Sequence, residues 1–245
     1  MSQYKTPGVY IVEKDAFPNS VVEVPTAVPA FIGYTQKAMR GTSSLTNVPV
    51  RITSFAEFEI LFGIAAPLSA KSSKSDPNKI ERDGGFILHQ AMKFFYDNGG
   101  GPCYIVSIGG YETGGKPTVP SADDFNNGID TLKAEQEPTM VVTPETCLLD
   151  LTIWTNVAKH ALLHCETMQS RVAILDLWNG NVGLGPNVAP ADAPITNFRS
   201  NVGTDGLSYG AAYYPWLNTS ILEPRAITHP AEFIVLTFQQ QMQKS

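Results

Sequence analysis

Three cysteines are all that 245 residues contain, Cys103, Cys147 and Cys165, and no two of them form a CxxC pair. They are too few and too scattered for a disulfide framework, so reduced core thiols are expected. Basic charge is scarce as well: 17 lysines and arginines face 23 aspartates and glutamates, a net charge of -6. That balance excludes a nucleic-acid partner, and the one lysine-rich stretch, KSSKSDPNK at 71–79, reads as a solvated loop. No run of 18 apolar residues occurs, so no membrane insertion is expected. The opening MSQYKTPGVY has neither a charged n-region followed by an apolar stretch nor a small-residue cleavage site. Synthesis in the cytoplasm without a signal peptide follows as an expectation. What is present is apolar: 43% hydrophobic residues and 10% aromatics suffice for a real core in one large domain or two small ones.

The chain then alternates between strand and helix patterns. AVPAFIGYT at 27–35 reads as a buried strand and VPVRITS at 48–54 as another. SFAEFEILFG reads as a short helix that Ser54 caps and Gly63 ends. In GFILHQAMKFFYDNGGG the positions Ile87, Ala91, Phe94 and Phe95 mark one helical face, and the glycines after Asn98 stop the helix. Phe94 and Phe95 are expected to pack on the sheet that holds Tyr104 to Val106. PCYIVSIGG is the next strand, followed by the loop YETGGKPTVPS and a helix near 121–134 with Ser121 as its N-cap.

The second half repeats the rhythm. PTMVVTP is a strand, LTIWTNVAKHALLHCETMQ a helix of about five turns, and RVAILDL a strand. This β-α-β unit implies neighbouring parallel strands with the helix packed across them. Residues 27–178 therefore read as α/β. NGNVGLGPNVAPADAPITNF lacks periodicity and reads as a long surface connection. LSYGAAYYPWL at 207–217 and PAEFIVLTFQQQ at 230–241 are the last strand candidates.

Three constellations invite a chemical reading. GLSYG at 206–210 fits the GxSxG pattern, which makes Ser208 a nucleophile only if it sits on a sharp turn between a strand and a helix. Here AAYYPWL comes next, an aromatic run with Pro215 that favours an extended chain, and His229 is the only downstream histidine. HALLHC places His160 and His164 one helical turn apart, a spacing that can grip a metal. Both, however, lie at the margin of the apolar arc of Trp154, Ala158, Ala161 and Cys165, and Ala161 stands where a zinc protease needs Glu. The glycines of NGGGPC follow a helix C-terminus, whose exposed carbonyls repel phosphate, so they read as a left-handed cap and a tight entry into the next strand. No catalytic, cofactor-binding or metal residue is assigned, and no cofactor is implied.

The N-terminus holds an oddity. In YKTPGVYIVEKD the residues Val9, Tyr10, Ile11 and Val12 favour a strand, and the turn-rich AFPNS behind them leaves that strand on a leash. YKTPGVYIVE, VPTAVPAFIGYT, KFFYDNGGGPCYIVSI, LSYGAAYYPWL and PAEFIVLTFQQQ follow one another along the chain. In order and character these five segments, spanning Tyr4 to Gln241, resemble the tail sheath protein of contractile phage tails and of phage-tail-like injection particles. The resemblance implies an α/β fold, α+β overall, with a central mixed sheet, packed helices, and terminal strands exchanged between subunits. It also implies an N-terminal arm over 1–20, an outer α/β domain over 21–220 and a C-terminal strand over 221–245. The donated strand would be Val9 to Val12, and the reciprocating strand Phe233, Ile234, Val235, Leu236 and Phe238. The implied partners are copies of the chain, sheath paralogues, an inner tube protein and a baseplate.

The implied role is non-enzymatic. Subunits polymerise helically around the tube and contract to drive it through a target envelope, within a phage tail or a released extracellular particle. One departure stands out: sheath proteins carry a further tube-facing domain between the YYPWL strand and the C-terminal strand, and here only NTSILEPRAITH, 218–229, lies between them. Two alternatives remain, a baseplate or cap component that shares the outer domain without polymerising, and a GxSxG hydrolase.

Overall fold

PAFIGYT is buried at every position, as a strand covered on both faces must be. In the computed structural model it forms the middle of the main sheet. The structure describes residues 27–66, 68–72, 80–83, 86–183, 193–217, 219 and 227–228. The proposed exchange strands, Val9 to Val12 and Phe233 to Phe238, lie outside the described residues.

In chain order the elements are β1 (Pro29–Thr35), a hairpin of β2 (Met39–Arg40) and β3 (Ser43–Ser44), β4 (Val50–Ile52), α1 (Phe55–Phe62), β5 (Leu68–Ser72), β6 (Ile80–Asp83) and α2 (Leu88–Asp97). Then come β7 (Cys103–Gly110), a hairpin of β8 (Glu112–Thr113) and β9 (Lys116–Pro117), α3 (Ala122–Thr131), β10 (Met140–Val142) and α4 (Leu151–Met168). β11 (Val172–Asp176), α5 (Pro194–Val202), β12 (Gly210–Tyr213) and β13 (Ile227–Thr228) follow. Six strands form the main sheet in the order β12-β11-β10-β1-β7-β4. β1, β7, β10, β11 and β12 run parallel, and β4 pairs antiparallel with β7 at one edge. This is the mixed α/β sheet expected, in a doubly wound order: the chain steps from β1 outward to β7, crosses back to β10, and continues outward through β11 to β12.

Side chains alternate across the sheet. Ala30, Ile32 and Tyr34 of β1 and Tyr104, Val106 and Ile108 of β7 enter one core with α3 and α4. Phe31 of β1 and Cys103 and Ile105 of β7 enter a second core with α1 and α2. The period of two along the strands divides the apolar side chains between two helical layers.

Local chemistry sets the helix limits. The Ser54 hydroxyl accepts the Glu57 N–H at 3.2 Å, and the Glu57 carboxylate accepts the Thr53 N–H at 2.9 Å. Gly63 ends α1, and Ser121 caps α3 by accepting the Asp124 N–H at 3.2 Å. After Asn98, Gly99 turns left-handed at φ 83° and stops α2. The three cysteines are free and buried, and burial pushes the Cys103 and Cys165 thiols up to about 11 and about 12.

Three expectations need correction. The buried residues of α2 are Leu88, Gln90 and Met92, with Phe95 packed beside them, whereas Phe94 is 43% exposed. Two adjacent rows of this helix are apolar at i, i+4 and i+7, and only the position of the sheet decides which one turns inward. The stretch read as a continuous surface connection over 179–198 contains the start of α5. Pro194 sits at the first helical turn, where its missing N–H costs nothing, and Phe198 packs edge-on to Trp154 at 6.1 Å. Within 207–217 only Gly210–Tyr213 is a strand, preceded by a 3-10 turn at Leu207–Tyr209.

Candidate functional site

An open parallel sheet offers ligands a crevice at the carboxyl ends of its strands, where the strand order reverses. Here that point lies between β1 and β10. It is filled by Glu145, three residues beyond β10 and 2% exposed. Its Oε2 accepts the Tyr34 N–H at 3.0 Å, and its Oε1 accepts the N–H groups of Ile87 and Leu88 at 3.0 and 3.1 Å. Ile87 and Leu88 begin α2, so the carboxylate sits where a helix N-terminus would hold an anion. Gly33 makes room for it: a Cβ there would stand 2.9 Å from Oε2.

Aromatic side chains close the rest of that end. Phe86 stacks on Tyr111 with ring centroids 5.1 Å apart and leans on Tyr34 at 4.9 Å. The Tyr34 hydroxyl donates to Asp124 at 2.6 Å, and burial followed by that carboxylate drives its ionisation well above the usual tyrosine range. Each of the three tryptophans donates its indole N–H to a backbone carbonyl here: Trp154 to Asp176 at 2.9 Å, Trp178 to Leu149 at 2.8 Å and Trp216 to Leu177 at 2.9 Å. These bonds satisfy the polar edge of each ring while its apolar body fills space. Between β1 and β10, the point of that end where the strand order reverses, the protein's own side chains occupy the space.

The histidine pair divides. His160 Nε2 lies 2.9 Å from Asp130 Oδ1, and Lys133 Nζ reaches the same oxygen at 2.9 Å. Burial raises the Asp130 carboxyl, but the hydrogen bonds from Lys133 and His160 prevail and hold it below its ordinary value. His164, placed at the margin by the sequence, is 3% exposed and belongs to the interior. Its Nε2 is 3.4 Å from the Arg171 guanidinium, which donates to the carbonyls of Leu132 at 3.0 Å and Glu135 at 2.6 Å. Burial and then the Arg171 charge lower the His164 imidazole to about 4, so it is neutral at pH 7. The two rings answer to different partners, and among the described residues no group of three or more His, Cys, Asp or Glu is placed to hold a metal.

Ser208 lies in the 3-10 turn, exposed, and the chain leaves that turn into strand β12. A nucleophile elbow needs a helix there. The two glycines of the pattern have a packing reason instead. A Cβ at Gly206 would stand 2.9 Å from the Leu162 carbonyl oxygen, and one at Gly210 would strike the Leu162 side chain. Together they let the turn lie against α4.

At its two edges the main sheet ends in β4 and β12, and among the described residues no further strand pairs with either. No described helix is long and apolar enough to cross a membrane.

No protein-family model matches the chain, and no curated protein does. Solved structures do. A chain in the cryo-EM structure of the anti-feeding prophage baseplate, 6-fold symmetrised, is 27% identical over 86% of this chain and 46% of that one, with a TM-score of 0.47. A chain in the structure of the anti-feeding prophage helical sheath in its contracted state is 23% identical over 86% of this chain and 45% of that one, also at a TM-score of 0.47. The match thus spans less than half the length of each of these two chains.

Proposed function

We propose that this chain is a structural subunit of a contractile tail or phage-tail-like injection particle, of the sheath type, and that it catalyses no reaction. The observation that carries the reading is the ordered resemblance of five segments from Tyr4 to Gln241 to tail sheath proteins. Three of those segments run through β1, through the end of α2 into β7, and through β12, so they build one sheet. The occupied crevice supports the non-enzymatic part, because the usual ligand end of that sheet is taken by Glu145 and a layer of aromatic rings.

On this reading Val9 to Val12 and Phe233 to Phe238 exchange between neighbouring subunits. Backbone hydrogen bonds supply attachment, alternating side chains select register, and an edge such as β12, which no further strand pairs among the described residues, is where a strand would add. An assembled lattice keeps the arm close to its target, which raises its effective concentration without any new contact. The leash lets subunits rotate and slide during contraction without detaching. Partners are further copies, an inner tube and a baseplate.

Electron microscopy of the full chain, alone and with a tube protein, tests the proposal. Rings or helical sleeves are the expected result. Removing residues 1–20 is expected to leave circular dichroism unchanged and to abolish long polymers; polymers that persist without the arm refute strand donation. A chain that never polymerises but occupies one end of a particle is a baseplate or cap component. Hydrolysis by the wild type that disappears in Ser208→Ala overturns the non-enzymatic reading.

A further inference from the structure

Helices α1 and α3 cap themselves, with Ser54 and Ser121 accepting N–H groups of their own first turns. Helix α2 does not: its N-cap is Ile87, which has no side-chain cap bond. Its first amides are satisfied by Glu145, 58 and 57 residues away in sequence, and the same carboxylate takes the Tyr34 N–H at the end of β1. Three donors from two elements therefore converge on two oxygens of a third, at the point where the fold reverses its strand order. We propose that this cradle is a carboxylate receptor occupied in cis, with Glu145 as a built-in ligand that clamps α2 to the end of β1. The inference concerns the subunit alone and holds or fails independently of any assembly.

Two features argue that the cradle is built for a carboxylate rather than filled by chance. Gly33 leaves a space that Oε2 occupies, since a Cβ there would stand 2.9 Å from that oxygen and 3.3 Å from the Leu88 Cβ. The N–H groups of Tyr34, Ile87 and Leu88 that meet the carboxylate are all backbone donors, two of them at a helix N-terminus, an arrangement that favours an anion. An ordinary cap would satisfy one of the orphan amides of α2 locally and would leave β1 uninvolved.

The test is chemical rescue. Glu145→Ala removes the carboxylate and leaves the donors, so its thermal midpoint is expected to fall by several degrees. Formate or acetate is then expected to raise that midpoint saturably, at constant ionic strength against chloride, and to leave the wild type unmoved. Adding Gly33→Ala to Glu145→Ala fills the oxygen's place and is expected to abolish the rescue. Formate that does no more than chloride, or that acts equally on the wild type, overturns the proposal. Hydrogen exchange on the wild type decides the matter if Glu145→Ala does not fold. The amides of Ile87 and Leu88 are expected to be protected like those of β7, and exchange at the rate of open first-turn amides overturns the clamp.

Discussion

Gly128 lies inside α3, where helix chemistry and packing pull in opposite directions. Replacing an interior helical glycine by alanine is ordinarily favourable by about 1 kcal/mol, because alanine loses less backbone entropy on folding. Gly128 is buried, however, and faces the sheet. A Cβ at that position would stand 2.5 Å from Ile108 Cγ2, 2.9 Å from Ile32 Cγ2 and 3.6 Å from Val106 Cγ1. Those methyls sit on β-branched side chains of β1 and β7, where χ1 is stiff, and Ile32 is paired with Val106 across the two strands. Neither isoleucine yields without moving its neighbours. Overpacking of this kind costs about 1–3 kcal/mol, so the loss exceeds the propensity gain.

Gly128→Ala is therefore expected to be destabilising by about 1 kcal/mol net, a fall in thermal midpoint of about 2–4 °C for a chain of this size. Asn127→Ala supplies the internal control, because Asn127 is exposed on the same helix and experiences the propensity term alone. Urea unfolding of both variants beside the wild type is the assay. Adjacent alanines should shift stability in opposite directions. If Gly128→Ala is stabilised as Asn127→Ala is, α3 does not approach the sheet as closely as described.

Burial and Arg171 hold His164 at about 4, against 6.5 for a free imidazole. Between those values the unfolded chain binds the proton and the folded chain does not, so stability falls as pH drops from about 6.5 towards 4, by on the order of 3 kcal/mol. Asp130, Lys133 and His160 also act on this ring, and His164→Gln is expected to flatten that slope; parallel stability profiles for the variant and the wild type refute it. On α2, Phe95 meets Phe31 edge-on at 5.2 Å, whereas Phe94 is 43% exposed. Phe95→Ala is expected to cost about 3 kcal/mol and Phe94→Ala less than about 0.5 kcal/mol in denaturant unfolding, and equal losses would show that the inward face is misassigned.

What the sequence made legible is what neighbouring residues decide. Ser54 and Gly63 bound α1 because both caps act within one turn of the helix. The strand PTMVVTP and the strand RVAILDL pair in parallel, as a helix between them requires. Ambiguity enters where two local patterns compete. Ile87, Ala91 and Phe94 satisfy the same spacing as Leu88, Met92 and Phe95, and the sheet chooses the second row. Pro194 reads as a break in a loop and is instead a helix start, because its effect depends on whether Phe198 and Val202 find a core beyond it. The placement of β4 antiparallel at an edge, and the crossing from β7 back to β10, depend on pairings between distant strands and left no local mark.

The crevice shows why a site can be written in a sequence and still escape a local reading. TPETCLLD looks like a polar turn, and nothing within it points to partners 57, 58 and 111 residues away. Two incomplete signals were nonetheless present. Helix α2 begins at apolar Ile87 with no side-chain cap, which leaves its first amides in want of an acceptor. Gly33 interrupts a strand buried along its whole length, which marks a close approach by some other group. Each deficit alone is compatible with many causes. Taken together they ask for one acceptor, at the carboxyl end of β1, reaching the start of α2. An acidic residue just beyond a neighbouring parallel strand meets both demands, and Glu145 is that residue.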